Sequence, residues 1–221
     1  MHQLAEDVWQ ISLLPRNGVN AYLLGDVLVD AGTKGQAKKV VAAVAGRTVS
    51  AHAITHAHGD HVGGSKRVVD ALGVPFWCPA GDAADVEAGR QTIAETWAKP
   101  MMSAGARFDP VPVARRLQEG DEVGAGFVVL DTPGHSPGHI SFWRERDRVL
   151  VCADVFFNLS LATLRYGLRE PVRVFTVDPA LNRASERRLA ALKPELTLFG
   201  HGPALRDPAE LERFVAGLPA D

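Results

Sequence analysis

The residues best equipped for chemistry crowd into Thr55–Gly64, which reads THAHGDHVGG. His56, His58, Asp60 and His61 bring three imidazoles and a carboxylate into one short stretch. On an extended segment, residues two apart project to the same side, so His56 and His58 can grip one cation together. Asp60 and His61 stand where the chain turns, and can face a neighbouring position. Gly59, Gly63 and Gly64 let the backbone fold tightly around such a site. Neutral imidazole and carboxylate are ligand types that suit zinc and also iron. The competing reading is a polar turn that happens to be rich in histidine. Three histidines and an aspartate directly behind an apolar strand argue against it.

Two cations need more ligands than one loop supplies. His135 lies in TPGHSPGHISF after an apolar run, Asp154 follows Val149–Ala153, and His201 lies in FGHGP after Leu196–Phe199. Each stands at the C-terminal end of a predicted strand, where loops converge to build sites. Singly, each reads as a polar residue closing a strand. Beside the first motif, they read as ligands. His52 and His2 read as structural or exposed.

The elements that must position these residues alternate between strands and helices. Val8–Leu13, Ala21–Leu24, Val27–Val29, Ala51–Thr55 and Pro75–Cys78 read as strands in the first half, with a hairpin turn at Gly25-Asp26. Phe127–Leu130, Ile140–Trp143, Val149–Ala153 and Leu196–Phe199 do so in the second. Helices are expected from Thr33 to about Ala45, over Ser65–Leu72 with Gly73 as the stop, and within Asp82–Met102. Asp178-Pro179 and Asp207-Pro208 open two more, each with an aspartate cap and a proline in the first turn. Phe156–Val177 fits neither pattern. Strands followed by helices, twice over, predict two packed sheets with helices outside.

A chain of 221 residues suits one domain spanning 1–221. At 46% apolar and 23% charged residues it has the make-up of a soluble globular protein. That length can bury a core without metal or disulfide support, so a metal would serve chemistry. The net charge of -2, with no basic stripe, weighs against nucleic acid and anionic membranes as partners. No apolar run approaches the ~20 residues of a membrane span. The opening MHQLAEDVWQISL does not read as a secretory signal, so the cytoplasm is the expected address. Cys78 and Cys152 read as small buried hydrophobes rather than a disulfide.

With these residues in place, the chain resembles the metallo-β-lactamase fold hydrolases. Five short motifs appear in the family's order: Asp30 in VDAG, then His56, His58, Asp60 and His61, then His135, Asp154 and His201. The resemblance runs from about residue 8 to residue 205, nearly the whole chain. It implies an α/β (α+β) four-layer αββα sandwich with two metal ions along one edge of the sheets. It assigns His56, His58 and His135 to the first ion, Asp60, His61 and His201 to the second, and Asp154 to both. Asp30 would orient a ligand imidazole, as carboxylates behind metal-bound histidines do. His139, in the PGHSPGH pattern, would hydrogen-bond near the site rather than ligate.

Two divalent ions about 3.5–4 Å apart can share a hydroxide, because metal binding lowers the pKa of water toward ~7. The expected reaction is attack of that hydroxide on an ester, thioester, lactone or related carbonyl. Zinc is the expected metal, with iron or manganese as alternatives. Asp60 would be both ligand and proton acceptor. An aspartate at position 154 looks more like the glyoxalase II and lactonase branches than the metal β-lactamases, where cysteine or serine is common. The chain ends twenty residues past His201, too short for a glutathione-binding extension. Phe157 stands where the lactonases tend to carry tyrosine. Phe156, Phe157, Leu159, Leu161, Leu164, Tyr166, Trp97, Met101 and Met102 are expected around an apolar mouth. Tyr166 would offer a hydroxyl to an oxyanion. The expected partner is a small molecule with an apolar part, bound by a monomer or homodimer. The rivals are an iron-dependent oxidoreductase resembling persulfide dioxygenases, a β-lactamase or phosphodiesterase of the same fold, and a metal-stapled protein without catalysis.

Overall fold

Strands buried at every position need cover on both faces, and six strands of the two large sheets are of that kind. They are β3 (Asn20–Leu24), β4 (Val27–Val29), β5 (Ala51–Ala53), β10 (Ile140–Arg144), β11 (Val149–Ala153) and β14 (Leu196–Phe199). The computed structural model, which describes residues 1–91 and 107–219, covers them by stacking two sheets between helices.

The first sheet has seven strands side by side in chain order. β1 (His2–Ala5) and β2 (Val8–Ser12) precede β3, β4 and β5, and β6 (Phe76–Pro79) and β7 (Arg115–Leu117) follow. From β4 to β7 the neighbours run parallel. The second sheet has the order β14-β11-β10-β9-β8, with β8 at Glu122–Val123 and β9 at Phe127–Asp131. Here β11 and β14 are parallel. Tyr22, Val29 and Ala53 of the first sheet pack with Phe127, Phe142 and Val151 of the second in one shared core.

Helices close the outer faces. Leu23 and Leu28 pack under α1 (Ala37–Ala43) and α2 (Ser65–Leu72) through Val40 and Val68. The short α3 (Ala83–Glu87) covers Phe76 and Cys78 through Val86. Leu150 and Phe199 pack under α4 (Pro179–Ala191) and α5 (Pro208–Ala216) through Leu189 and Leu211. The result is the expected four-layer αββα arrangement. Asp178 and Asp207 cap α4 and α5 with bonds from the Leu181 and Ala209 amides. Gly73 ends α2 in the left-handed conformation that glycine adopts without strain.

Three expectations need correction. α1 starts at Ala37, because the Gln36 side chain turns back to accept from the Thr33 amide and holds residues 33–36 in a turn. The helix expected from Asp82 lasts only to Glu87, since Gly89 takes a positive φ of 65° and Arg90 bridges to Arg107. The rest of that prediction, with Trp97, Met101 and Met102, lies outside the described residues. The unassigned stretch after Phe156 holds a hairpin of β12 (Phe157–Leu159) and β13 (Tyr166–Arg169). Cys78 and Cys152 are buried free thiols on different sheets. No described helix is long and apolar enough to cross a membrane.

Candidate metal centre

The parallel strands point their C-terminal ends to one edge of the sandwich, and the chemistry gathers there. Asp30 follows β4, His56 follows β5, Asp154 follows β11 and His201 follows β14. His135 comes from the connection between β9 and β10. All seven predicted ligands meet at this edge in three overlapping groups: His56, His58 and His135; His56, His61 and Asp154; Asp60, His61 and His201. Within each group the ligand atoms lie within 4.8 Å of one another. Asp154 links the groups, with Oδ2 3.2 Å from His201 Nε2, 3.4 Å from His135 Nε2 and 3.8 Å from His56 Nε2.

Four of the five imidazoles, those of His56, His61, His135 and His201, are held from behind by the nitrogen that points away from the cluster. The Thr55 hydroxyl donates to Asp30 Oδ2 at 2.9 Å, so it accepts from His56 Nδ1 at 3.0 Å. His61 Nδ1 donates to Asp30 Oδ2 at 2.8 Å, and His201 Nδ1 donates to the Gly18 carbonyl at 2.6 Å. His135 Nδ1 donates to Thr176 Oγ1, whose own proton goes to the Val172 carbonyl. These bonds fix the tautomers and leave Nε2 lone pairs converging. His58 turns the other way and presents Nδ1, 3.1 Å from His56 Nε2.

Whether this edge fits a cation is decided by what its atoms lack. His61 Nε2, His135 Nε2 and Asp154 Oδ1 are buried without a hydrogen-bond partner. Stranding three such groups costs about 1–3 kcal/mol each. A cation at each position would satisfy them. The donor set of imidazoles and carboxylates is the one that binds divalent transition metals.

The electrostatics agree. Burial, reinforced by His61 and His58, holds His56 well below the usual imidazole value. Burial, then His135, brings His58 down to about 3. Burial works against His61 and His201 too, but the carboxylates of Asp154, Asp30 and Asp60 outweigh it for His61. Those of Asp154 and Asp60 raise His201 to about 10. The same pairings hold Asp60 and Asp154 below the usual carboxylate range despite burial. The carboxylates around His61 and His201 thus make this part of the edge favourable to positive charge.

The cluster opens on a cavity of about 260 Å³ lined by His58, Asp60, Gln91, His135, Asp154, Phe157, Leu161, Phe175 and His201. Phe157 lies against the His201 ring with centroids 4.4 Å apart. Leu161 and Phe175, each 41% exposed, form the apolar rim.

Several expected residues sit elsewhere. Phe156 points opposite to Phe157, into the core against Phe214 beneath α5. Tyr166 is half exposed and outside the cavity lining, with the Arg16 guanidinium 4.6 Å above its ring. Leu159 is buried and Leu164 exposed, and neither lines the cavity. His139 is buried, but both its nitrogens are engaged. Nε2 accepts from the Asp154 amide and Nδ1 donates to Thr132. It holds the Asp154 amide and lies outside the cavity lining, in keeping with the hydrogen-bonding place beside the site that the resemblance implied. Gln91, Phe175, Thr55 and Thr176 were not anticipated. Thr55 opens the histidine-rich motif but is a common residue type without ligand chemistry of its own, and the other three stand in unremarkable sequence that only folding brings to the edge.

The model of the Metallo-beta-lactamase superfamily matches residues 14–201. Among curated proteins, the probable metallo-hydrolase YflN of Bacillus subtilis is 28% identical over 200 residues, 80% of this chain and 75% of its own. The hydroxyacylglutathione hydrolase of Methylococcus capsulatus is 32% identical over 166 residues, 71% of this chain and 56% of its own. Among solved structures, TTHA1623 in a di-iron-bound form superposes with a TM-score of 0.71 at 29% identity, covering 93% of this chain and 97% of that one. The BLEG-1 B3 metallo-beta-lactamase gives 0.70 at 25% identity, covering 95% and 100%.

Proposed function

The chain belongs to the metallo-beta-lactamase superfamily, and from that premise we propose that it is a dinuclear metal-dependent hydrolase of esters, thioesters or lactones. His56, His58 and His135 would hold one divalent cation and Asp60, His61 and His201 the other, with Asp154 available to both. The observation that carries this reading is the overlap of the three ligand groups at the floor of an open cavity. A structural zinc site is a closed four-coordinate cage, whereas a catalytic one keeps a position open to substrate.

Bound there, two cations supply a water acidic enough to attack at neutral pH and Lewis acidity for the carbonyl oxygen. The chain's own residues do the rest. Asp30, Thr55, Thr176 and the Gly18 carbonyl fix the imidazole planes, so no reorganisation is needed when substrate arrives. Asp60 is the ligand most open to the cavity and is held ionised by His61 and His201. Asp60 would thus serve both as ligand and as acceptor for the proton of the attacking water. Phe157, Leu161 and Phe175 exclude water and bind an apolar part of the substrate.

The test joins metal analysis of the purified protein to a hydrolysis screen over lactones, thioesters, aryl esters, β-lactams and phosphodiesters. Close to two metal ions per chain, and carbonyl-ester turnover lost to a chelator and restored by metal, is the expected result. Protein that binds no metal would end this reading. The relative with a di-iron centre supports one alternative, an iron-dependent oxidoreductase. Iron in the isolated protein with oxygen uptake and no hydrolysis would select it.

A further inference from the structure

Asp82 directly precedes α3, where an aspartate normally spends its carboxylate on the first amides of its own helix. Here it makes no such bond. Its side chain is 2% exposed and turns to the two loops that carry the first ligand group. Oδ2 accepts from the Ala57 amide at 2.8 Å and from the Ser136 hydroxyl at 2.9 Å. Oδ1 accepts from the Gly138 amide at 2.8 Å. Ala57 stands between His56 and His58, and Ser136 follows His135. The loops approach so closely that a Cβ at Gly138 would strike the Asp82 amide and carboxylate.

The second group is held by other means. His61 is anchored on Asp30, and His201 on the Gly18 carbonyl. Asn20 donates to the Phe199 and Gly202 carbonyls on either side of His201. The three hydrogen bonds of Asp82 described above end on Ala57, Ser136 and Gly138, not on these residues. Asp30 and Asp82 thus follow β4 and β6, the two strands that flank β5, and grip its ligand loop from opposite sides. Asp30 holds Thr55 and His61, and Asp82 holds Ala57.

We propose that Asp82 is a positioning residue for the first cation alone, setting the spacing of His56, His58 and His135 by tying their two loops together. The inference rests on the two-cation reading above. It gives the first site a buried acid that the second does not use, whereas Asp30 serves both, bonding His61 directly and reaching His56 through Thr55.

The two sites are separated by disabling one at a time and titrating metal-free protein with cobalt(II). In the His201→Ala background, where the first site remains, Asp82→Asn should weaken cobalt binding about 10- to 100-fold, the usual cost of losing an outer partner. In the His58→Ala background, where the second site remains, the same change should move the affinity less than about threefold. Asp30→Asn, by contrast, should weaken binding in both backgrounds, through Thr55 and His56 in one and through His61 in the other. Ser136→Ala, which removes one of the three bonds and leaves the carboxylate in place, should follow Asp82→Asn in direction with a smaller effect. It serves as the test if Asp82→Asn does not fold. Equal weakening by Asp82→Asn in both backgrounds, or none in either, would overturn the proposal and leave Asp82 a general brace. Absence of cobalt binding in the unmodified protein would instead overturn the two-cation reading, and this proposal with it.

Discussion

His52 and His56 stand four residues apart, both without solvent contact, yet they answer to different physics. His52 lies inside β5 with both nitrogens satisfied by protein. Nδ1 donates to the Leu28 carbonyl at 3.1 Å, and Nε2 accepts from the Ser65 hydroxyl at 2.8 Å. At the strand's end, His56, His61, His135 and His201 each bond outward through Nδ1 and aim Nε2 at one another and at Asp154. A buried histidine is thus structural when its bonds close within the fold. It is a candidate ligand when one nitrogen is fixed and the other is left facing its fellows. The contrast predicts two kinds of damage that can be separated.

The largest effect belongs to the shared ligand. Asp154→Ala should lose at least one metal ion and about a thousandfold or more in kcat/KM, the several kcal/mol that a cation contributes. The fold should remain, because Asp154 stands at the edge of the sandwich and its removal spares the core shared by the two sheets. Metal analysis, steady-state kinetics and circular dichroism check this. Full turnover in the variant would show that the cluster is not the catalytic centre. Next comes Gly200, where a Cβ would overlap Asp154 Oδ1 and crowd His61 Cε1. Gly200→Ala should lower metal affinity about 10- to 100-fold by shifting these two groups, as disturbed outer partners do. An unchanged affinity by chelator competition would mean the edge yields more easily than its contacts imply.

His52 should show the opposite damage. Burial brings its pKa down to about 4 from the ordinary imidazole value of about 6.5. The folded protein therefore keeps it neutral, while the unfolded chain takes up a proton as the pH falls below 6.5. The stability it contributes is complete above pH 6.5 and is lost on descending toward pH 4, up to about 3 kcal/mol at 1.36 kcal/mol per unit. His52→Gln should be less stable at neutral pH and should flatten the difference in that window, with metal content unchanged. Denaturant unfolding of metal-free protein from pH 4 to 7.5 measures it. A parallel pH dependence in parent and variant would refute the assignment.

The smallest effect belongs to the cavity rim, which has few bonds to hold it. Phe175→Ala or Leu161→Ala should raise KM for an apolar substrate about fivefold, the worth of roughly 1 kcal/mol of lost burial. Metal content, stability and kcat should stay as they were. If either change lowered kcat and metal content together, the rim would belong to the cluster after all.

Much of the site was legible because ligand chemistry is local. HxHxDH needs only residue type, spacing and a preceding strand, and the other ligands follow apolar runs that read as strands. The strand ends share one edge because parallel neighbours must point the same way. Adjacent residues gave the misreadings. Phe156 and Phe157 are one composition and opposite faces, and Tyr166 fell in a stretch whose pairing partner, Leu159, no local pattern reveals. Asp82 read as a helix start, and it is one, but its carboxylate works elsewhere.

By itself the sequence determined the layered fold class, the order of its main strands and the identity of the residues able to bind cations, since periodicity and side-chain chemistry act over a few positions. Only the tertiary structure decided which nitrogen each histidine presents, which acid stands behind which loop and which apolar residues reach the cavity. Those outcomes depend on partners as distant as Gly18 and His201, 183 residues apart, and a hydrogen bond across that span exists only once two separate sheets have packed.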